Sequence, residues 1–93
     1  MDLIVAVKQN SKQLVKSLLE RGCDPNYCED SALVTPLHFA AQANALDVVT
    51  LLVTAGANLQ SKTQDGYTPL DIAKMHGHNE MVKLLQKLLA KIN

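Results

Sequence analysis

Aromatic residues are scarce in this 93-residue chain, with one Phe, two Tyr and no Trp. A core built almost without them must come from Leu, Val, Ile and Ala, which suits closely packed helices better than a β-sandwich. Cysteine is rarer than a disulfide framework needs: Cys23 and Cys28 are the two present. Their number fits a reducing compartment, cytoplasm or nucleus. No sign of charge dominates, because nine basic residues balance nine acidic ones. No overall field therefore steers a nucleic acid or an anionic membrane. No apolar run is long enough to cross a bilayer. The opening, Met1-Asp2-Leu3-Ile4-Val5-Ala6-Val7-Lys8, lacks the basic region and apolar stretch of a secretory signal.

Catalytic groupings are also missing. The four glycines stand apart, at Gly22, Gly56, Gly66 and Gly77, which rules out a glycine-rich phosphate loop. Cys23 and Cys28 do not have zinc-ribbon spacing, and no second cysteine pair exists. No nucleophile, base and orienting group stand out, and no carboxylate pair does so. The sequence implies no enzyme, no cofactor and no metal.

What the chain has is a period. Thr35-Pro36-Leu37-His38-Phe39-Ala40-Ala41 leads to Val48-Val49 and Leu51-Leu52. Thirty-three residues on, Thr68-Pro69-Leu70-Asp71-Ile72-Ala73-Lys74 leads to Met81-Val82 and Leu84-Leu85. Gly56-Ala57-Asn58 is matched 34 residues earlier by Gly22-Cys23-Asp24, one extra residue falling between Tyr27 and Val34.

Each unit reads as two helices and a turn. Thr35 and Thr68 are suited to accept a hydrogen bond from an orphan backbone N–H, and a proline follows each at the first helical position. The first helix of the middle unit is expected over Pro36 to Ala43. The second carries Val48, Val49, Leu51, Leu52 and Ala55 at helical spacing. Gly56 falls where a left-handed residue closes that helix, and Asp65-Gly66 supplies a tight turn. No pair buries its apolar face alone, so a stack of about three is needed.

These residues resemble the ankyrin repeat family, whose signature is Thr-Pro-Leu-His-x-Ala at a 33-residue period. The middle unit matches best. The last has Asp71 where the family prefers His, and the first keeps only its second half, Val15 to Asn26. The resemblance covers nearly the whole chain. It implies an all-α solenoid of stacked helix-turn-helix units with projecting β-turn or hairpin fingers. Repeat 1 spans about 1–29, repeat 2 about 30–62, and repeat 3 with a C-terminal capping helix about 63–93. The stripe Lys83, Lys87, Lys91 reads as a solvated capping face, with an anionic contact as the alternative.

The resemblance further implies a non-catalytic module, monomeric on its own, that binds another protein through its concave face and fingers. Mapped by motif position, the finger residues are Ser31, Ala32 and Val34, then Gln64, Asp65 and Tyr67. The inner-helix residues are Lys8 and Gln9, Gln42 and Ala43, Met75 and His76. Tyr67 and Met75 are the expected anchors, although Tyr67 has packing on its own turn as an alternative. The apolar Ala32-Leu33-Val34 is either a reshaped finger or a flap over the stack. His38 is expected to hydrogen-bond between adjacent turns, and Cys23 to act as a small hydrophobe. Asn26 resembles asparagines that become hydroxylated in such turns, with Pro25 a departure from that pattern. The competing reading is a structural or capping segment of a longer array.

Overall fold

The computed structural model describes residues 2–28 and 31–91, which are helical and turn in character. Met1, with which the first unit was expected to open, and residues 29 and 30 of the variant finger lie outside the described residues. Among the described residues six helices follow in order: α1 (Leu3–Lys8), α2 (Lys12–Glu20), α3 (Pro36–Gln42), α4 (Leu46–Thr54), α5 (Pro69–Met75) and α6 (Asn79–Ala90). They form three antiparallel pairs. The shorter helices α1, α3 and α5 pack side by side as an inner row, and α2, α4 and α6 form an outer row.

The helix starts follow the sequence. Thr35 Oγ1 accepts from the N–H of His38, and Thr68 Oγ1 from that of Asp71 at 3.2 Å. The side chains of His38 and Asp71 reach back to the N–H groups of their threonines at 3.1 and 3.0 Å. Each start is thus a reciprocal capping box, with proline next. The first unit lacks threonine, and Asp2 takes its place, accepting from Val5 N–H at 2.9 Å.

The helix ends share one solution. After α4, Gly56 N–H donates to Val53 O and Ala57 N–H to Leu52 O, at 3.0 and 2.9 Å. Gly56 has φ +104°, so the expected left-handed closure is present. The same pair of bonds closes α1, α2, α3 and α5. At the junctions inside each pair the left-handed residue is Asn10, Asn44 or Gly77, residue types that accept this conformation at least cost. Helix α3 stops at Gln42 with Ala43 as its cap, one residue short of the expected end.

Burial explains why the pairs stack. Val7, Val15, Leu37, Val48, Val49, Leu52 and Met81 are fully buried in one continuous cluster drawn from all three pairs. Cys23 is half-buried against it, the small-hydrophobe role expected of it. Leu51 is also half-buried, and Ala55 is exposed. The apolar arc of α4 is therefore wider than its buried stripe. Leu52→Ala removes a fully buried side chain between pairs and should cost about 2–5 kcal/mol. A domain of this size has only about 5–15 kcal/mol to lose. A chemical-denaturation midpoint close to that of the native chain would show that the stack does not depend on this layer.

Candidate functional site

Hydrogen bonds from loop to loop fix where the fingers stand. Asn26 donates its amide to Gly56 O at 3.2 Å and accepts from Asn58 N–H at 2.7 Å, tying the turn after α2 to the turn after α4. Both polar atoms of the Asn26 side chain are thereby occupied, although the residue itself is exposed. Between the two fingers, Gln64 N–H donates to Ala32 O at 2.8 Å. The second finger closes on itself through Thr63 N–H to Tyr67 O at 2.9 Å and Tyr67 N–H to Thr63 Oγ1 at 3.2 Å. Gly66, at φ +88°, makes the turn.

The middle of this frame is His38, 1% exposed. Its Nδ1 accepts from Thr35 N–H and lies 2.8 Å from the Thr35 hydroxyl, so its proton is on Nε2, which donates to Tyr67 O at 2.8 Å. The predicted bridge between adjacent turns is present, and it requires a neutral ring. Burial, partly offset by the backbone bonds, lowers the His38 pKa below 6.5. Asp71, the counterpart in the last unit, is held low chiefly by the backbone N–H of Thr68. His78 makes a second tie, Nε2 to Gln42 O at 2.9 Å, and stacks on His76 with centroids 5.8 Å apart. His76 Nδ1 donates to Ile72 O at 2.9 Å.

On this frame the inner helices present matching side chains. Residues spaced i, i+3, i+4 share a helix face. These sets are Val5, Lys8 and Gln9 on α1, Phe39, Gln42 and Ala43 on α3, and Ile72, Met75 and His76 on α5. Lys8, Gln9, Gln42, Ala43, Met75 and His76 are exposed, Met75 by 61%. Val5 is 37% exposed, and Phe39 and Ile72 are half-buried. Lys8 Nζ stands 4.7 Å from the Phe39 ring centroid, a cation–π contact between two units. Lys8, Phe39, Gln42 and Ala43 line one open groove of about 390 Å³. Motif mapping missed Phe39, yet its spacing from Gln42 and Ala43 was visible.

The fingers divide differently from expectation. Ser31, Gln64, Asp65 and Tyr67 are exposed, while Ala32 and Val34 are half-buried. Leu33, which lies between those two, is 48% exposed. It is neither fully projecting nor folded away as a flap, and it has φ +59°. A leucine in this conformation is strained by about 1–2 kcal/mol. Its signal was in the period, because Leu33 stands 33 residues before Gly66, the position of the turn glycine. Tyr67 is 41% exposed; its backbone is pinned while its ring reaches solvent. Among the described residues no group of three or more His, Cys, Asp or Glu is placed to hold a metal ion, and no helix is long and apolar enough to cross a membrane.

Comparison with known proteins agrees with the geometry. The family profile for ankyrin repeats in three copies matches residues 3–93, and the chain belongs to the ankyrin repeat family, a family of protein-interaction modules. It is 45% identical over 71 residues to the 2-5A-dependent ribonuclease of Mus musculus, covering 76% of this chain and 10% of that protein. It is 33% identical to cyclin-dependent kinase inhibitor 2A of Monodelphis domestica, over 92% of this chain and 50% of the relative. Cyclin-dependent kinase 4 inhibitor B of Mus musculus is also 33% identical, over 88% of this chain and 63% of its own length. The chain thus spans a tenth of the ribonuclease and about half or more of each inhibitor.

Two outcomes test the frame. His38 has a depressed folded-state pKa, so its contribution is complete above pH 6.5 and is lost as pH falls from there toward the depressed value. The urea midpoint should drop between pH 7.5 and 5.5, and the drop should shrink in His38→Gln; an equal drop in both would assign the effect elsewhere. Leu33→Gly should raise stability by roughly 0.5–1 kcal/mol, strain relief exceeding the added chain entropy. A loss of stability would mean that the leucine side chain holds the finger.

Proposed function

We propose that the chain is a non-catalytic interaction module that holds a partner protein across the concave side of its inner helices and its finger tips. The observation that supports this most is the aligned row Val5, Phe39 and Ile72. Each of these shares its helix face with exposed residues that differ in chemistry from unit to unit: Lys8 in the first, Gln42 in the second, Met75 and His76 in the third. A repeated backbone carrying unlike side chains is what a specific, extended contact requires. Leu33, Tyr67 and Met75 supply exposed apolar area, and aromatic and Met side chains are enriched at interface centres. Ser31, Ala32, Val34, Gln9, Ala43, Gln64 and Asp65 would complete the rim.

Three units offer a partner roughly 500–800 Å², at or below the usual half-interface. The reading therefore expects micromolar affinity, or help from other parts of a larger protein. The relatives named as kinase inhibitors act on another protein, and that coarse property is all we carry over from them. We place the chain in the cytoplasm or nucleus as a monomer, without nucleic acid or membrane as ligand. Hydroxylation of Asn26 at its β-carbon is compatible with the two hydrogen bonds of its side-chain amide; an unchanged mass after treatment with an asparaginyl hydroxylase would exclude it.

A second reading has support of its own. The chain spans only a tenth of the ribonuclease, so it can be a supporting segment of a longer array whose contacts lie elsewhere. One experiment separates the two. Affinity purification with the native chain, Tyr67→Ala with Met75→Ala, and a control altered only at the exposed Gln86 should lose the partner in the double variant alone. Retention of the partner by the double variant, with its fold intact by circular dichroism, would remove the inner face from the account.

A further inference from the structure

The three histidines of the chain differ in what their ring nitrogens have left to offer. His38 spends both on the frame, one on the Thr35 cap and the other on Tyr67 O. His76 and His78 each spend one. A ring nitrogen that faces a carbonyl oxygen must carry the proton, since the carbonyl has none to give. Nδ1 of His76 therefore donates to Ile72 O and Nε2 of His78 to Gln42 O, both at 2.9 Å. The neutral rings are left with lone pairs on His76 Nε2 and His78 Nδ1. Neither of these nitrogens has a hydrogen-bond partner among the described residues.

The chain brings the two rings together. His76 caps the end of α5, His78 caps the start of α6, and Gly77 turns the backbone between them at φ +69°. The centroids lie 5.8 Å apart, with the rings 18° from parallel. His76 is exposed and His78 half-buried, so the pair meets water on one side and rests on the fold on the other. An imidazole nitrogen reaches a transition-metal ion at about 2.0–2.1 Å, which sets each ring centroid roughly 3.2 Å from the ion. Two rings on one ion thus stand up to about 6.4 Å apart. The observed separation falls inside that span, so the backbone already holds the rings at bridging distance.

We infer that His76 and His78 form a two-histidine site for a divalent transition-metal ion of the nickel, copper and zinc class. Imidazole is a donor that suits these ions, whereas magnesium and calcium want oxygen. A histidine that ligates through one nitrogen characteristically donates the other N–H to a backbone carbonyl or a carboxylate, which fixes the tautomer and aims the ring. Both rings already do so. The junction between two helices holds both donors, so little chain entropy is left to lose when the ion binds. Two protein ligands leave positions open, to be filled by water or by a donor side chain of a bound protein. His76 belongs to the proposed inner face, yet the site needs no partner and is tested on the chain alone.

The probe is Ni2+, which suits imidazole, added to the full chain at about pH 7.5, where imidazole is mostly neutral. Before addition, long-range proton–nitrogen spectra should show His76 protonated at Nδ1 and His78 at Nε2. Paramagnetic broadening should then centre on residues 75–79 and Gln42, and spare His38, Cys23, Cys28 and the amino terminus. His76→Ala and His78→Ala should each weaken binding by about tenfold or more. Ni2+ should raise the melting temperature of the native chain by mass action and leave that of His76→Ala where it was. His76→Ala keeps the tie from His78 to Gln42, which guards against a variant that simply unfolds. Opposite tautomers, broadening centred on the cysteines or the amino terminus, or an unchanged affinity in His76→Ala would overturn the inference.

Discussion

The neutral imidazole of His38 is the point through which the molecule holds its shape. One nitrogen completes the start of α3 by accepting from Thr35, and the other reaches the carbonyl of Tyr67 in the next unit. A local cap and a contact between units are thus made by one ring. If the ring tilts, α3 loses its capping box and the second finger loses its anchor together. Burial is what makes this coupling strict, because an unmet polar group in such a place costs about 1–3 kcal/mol. Asn26 repeats the principle between the first two units, and His78 makes a second tie between the last two, each side chain reaching a backbone carbonyl of another unit.

Much of this was legible beforehand, for reasons that differ by residue. Thr35, Thr68 and the prolines after them act locally, so their capping role follows from residue type and order alone. The bridge by His38 was expected from the family resemblance, and no local rule would have located its acceptor at Tyr67. The loop ties of Asn26 were out of reach, since nothing in the spacing says which carbonyl a side-chain amide will meet. Leu33 was underrated for a different reason. Its neighbours Ala32 and Val34 follow from motif position, whereas a positive φ is not announced by leucine as a residue type and shows only in the period, which sets Leu33 at the place of Gly66. Phe39 sits inside the signature and is absent from the motif-mapped inner-helix set, although the i+3 and i+4 relation to Gln42 and Ala43 places it on their face.

The division of labour in the fold is physical. Backbone caps, left-handed closures and buried aliphatic residues are nearly alike in the three units and determine where each helix lies. The side chains that leave the stack are unlike: a lysine over a phenylalanine on one part of the inner row, a methionine and a histidine on another, a strained leucine and a tyrosine on the fingers. Stability can be supplied by the first set and selectivity by the second, so the exposed residues are open to change at little cost to the fold.

On the proposed function, the inner helices and fingers carry the partner. Hydrogen–deuterium exchange on the chain alone and with its captured partner tests it most directly. Slowed exchange is predicted over residues 5–9, 31–34, 39–43, 64–67 and 72–76. Slowed exchange confined to the outer helices, with these segments unchanged, would contradict it.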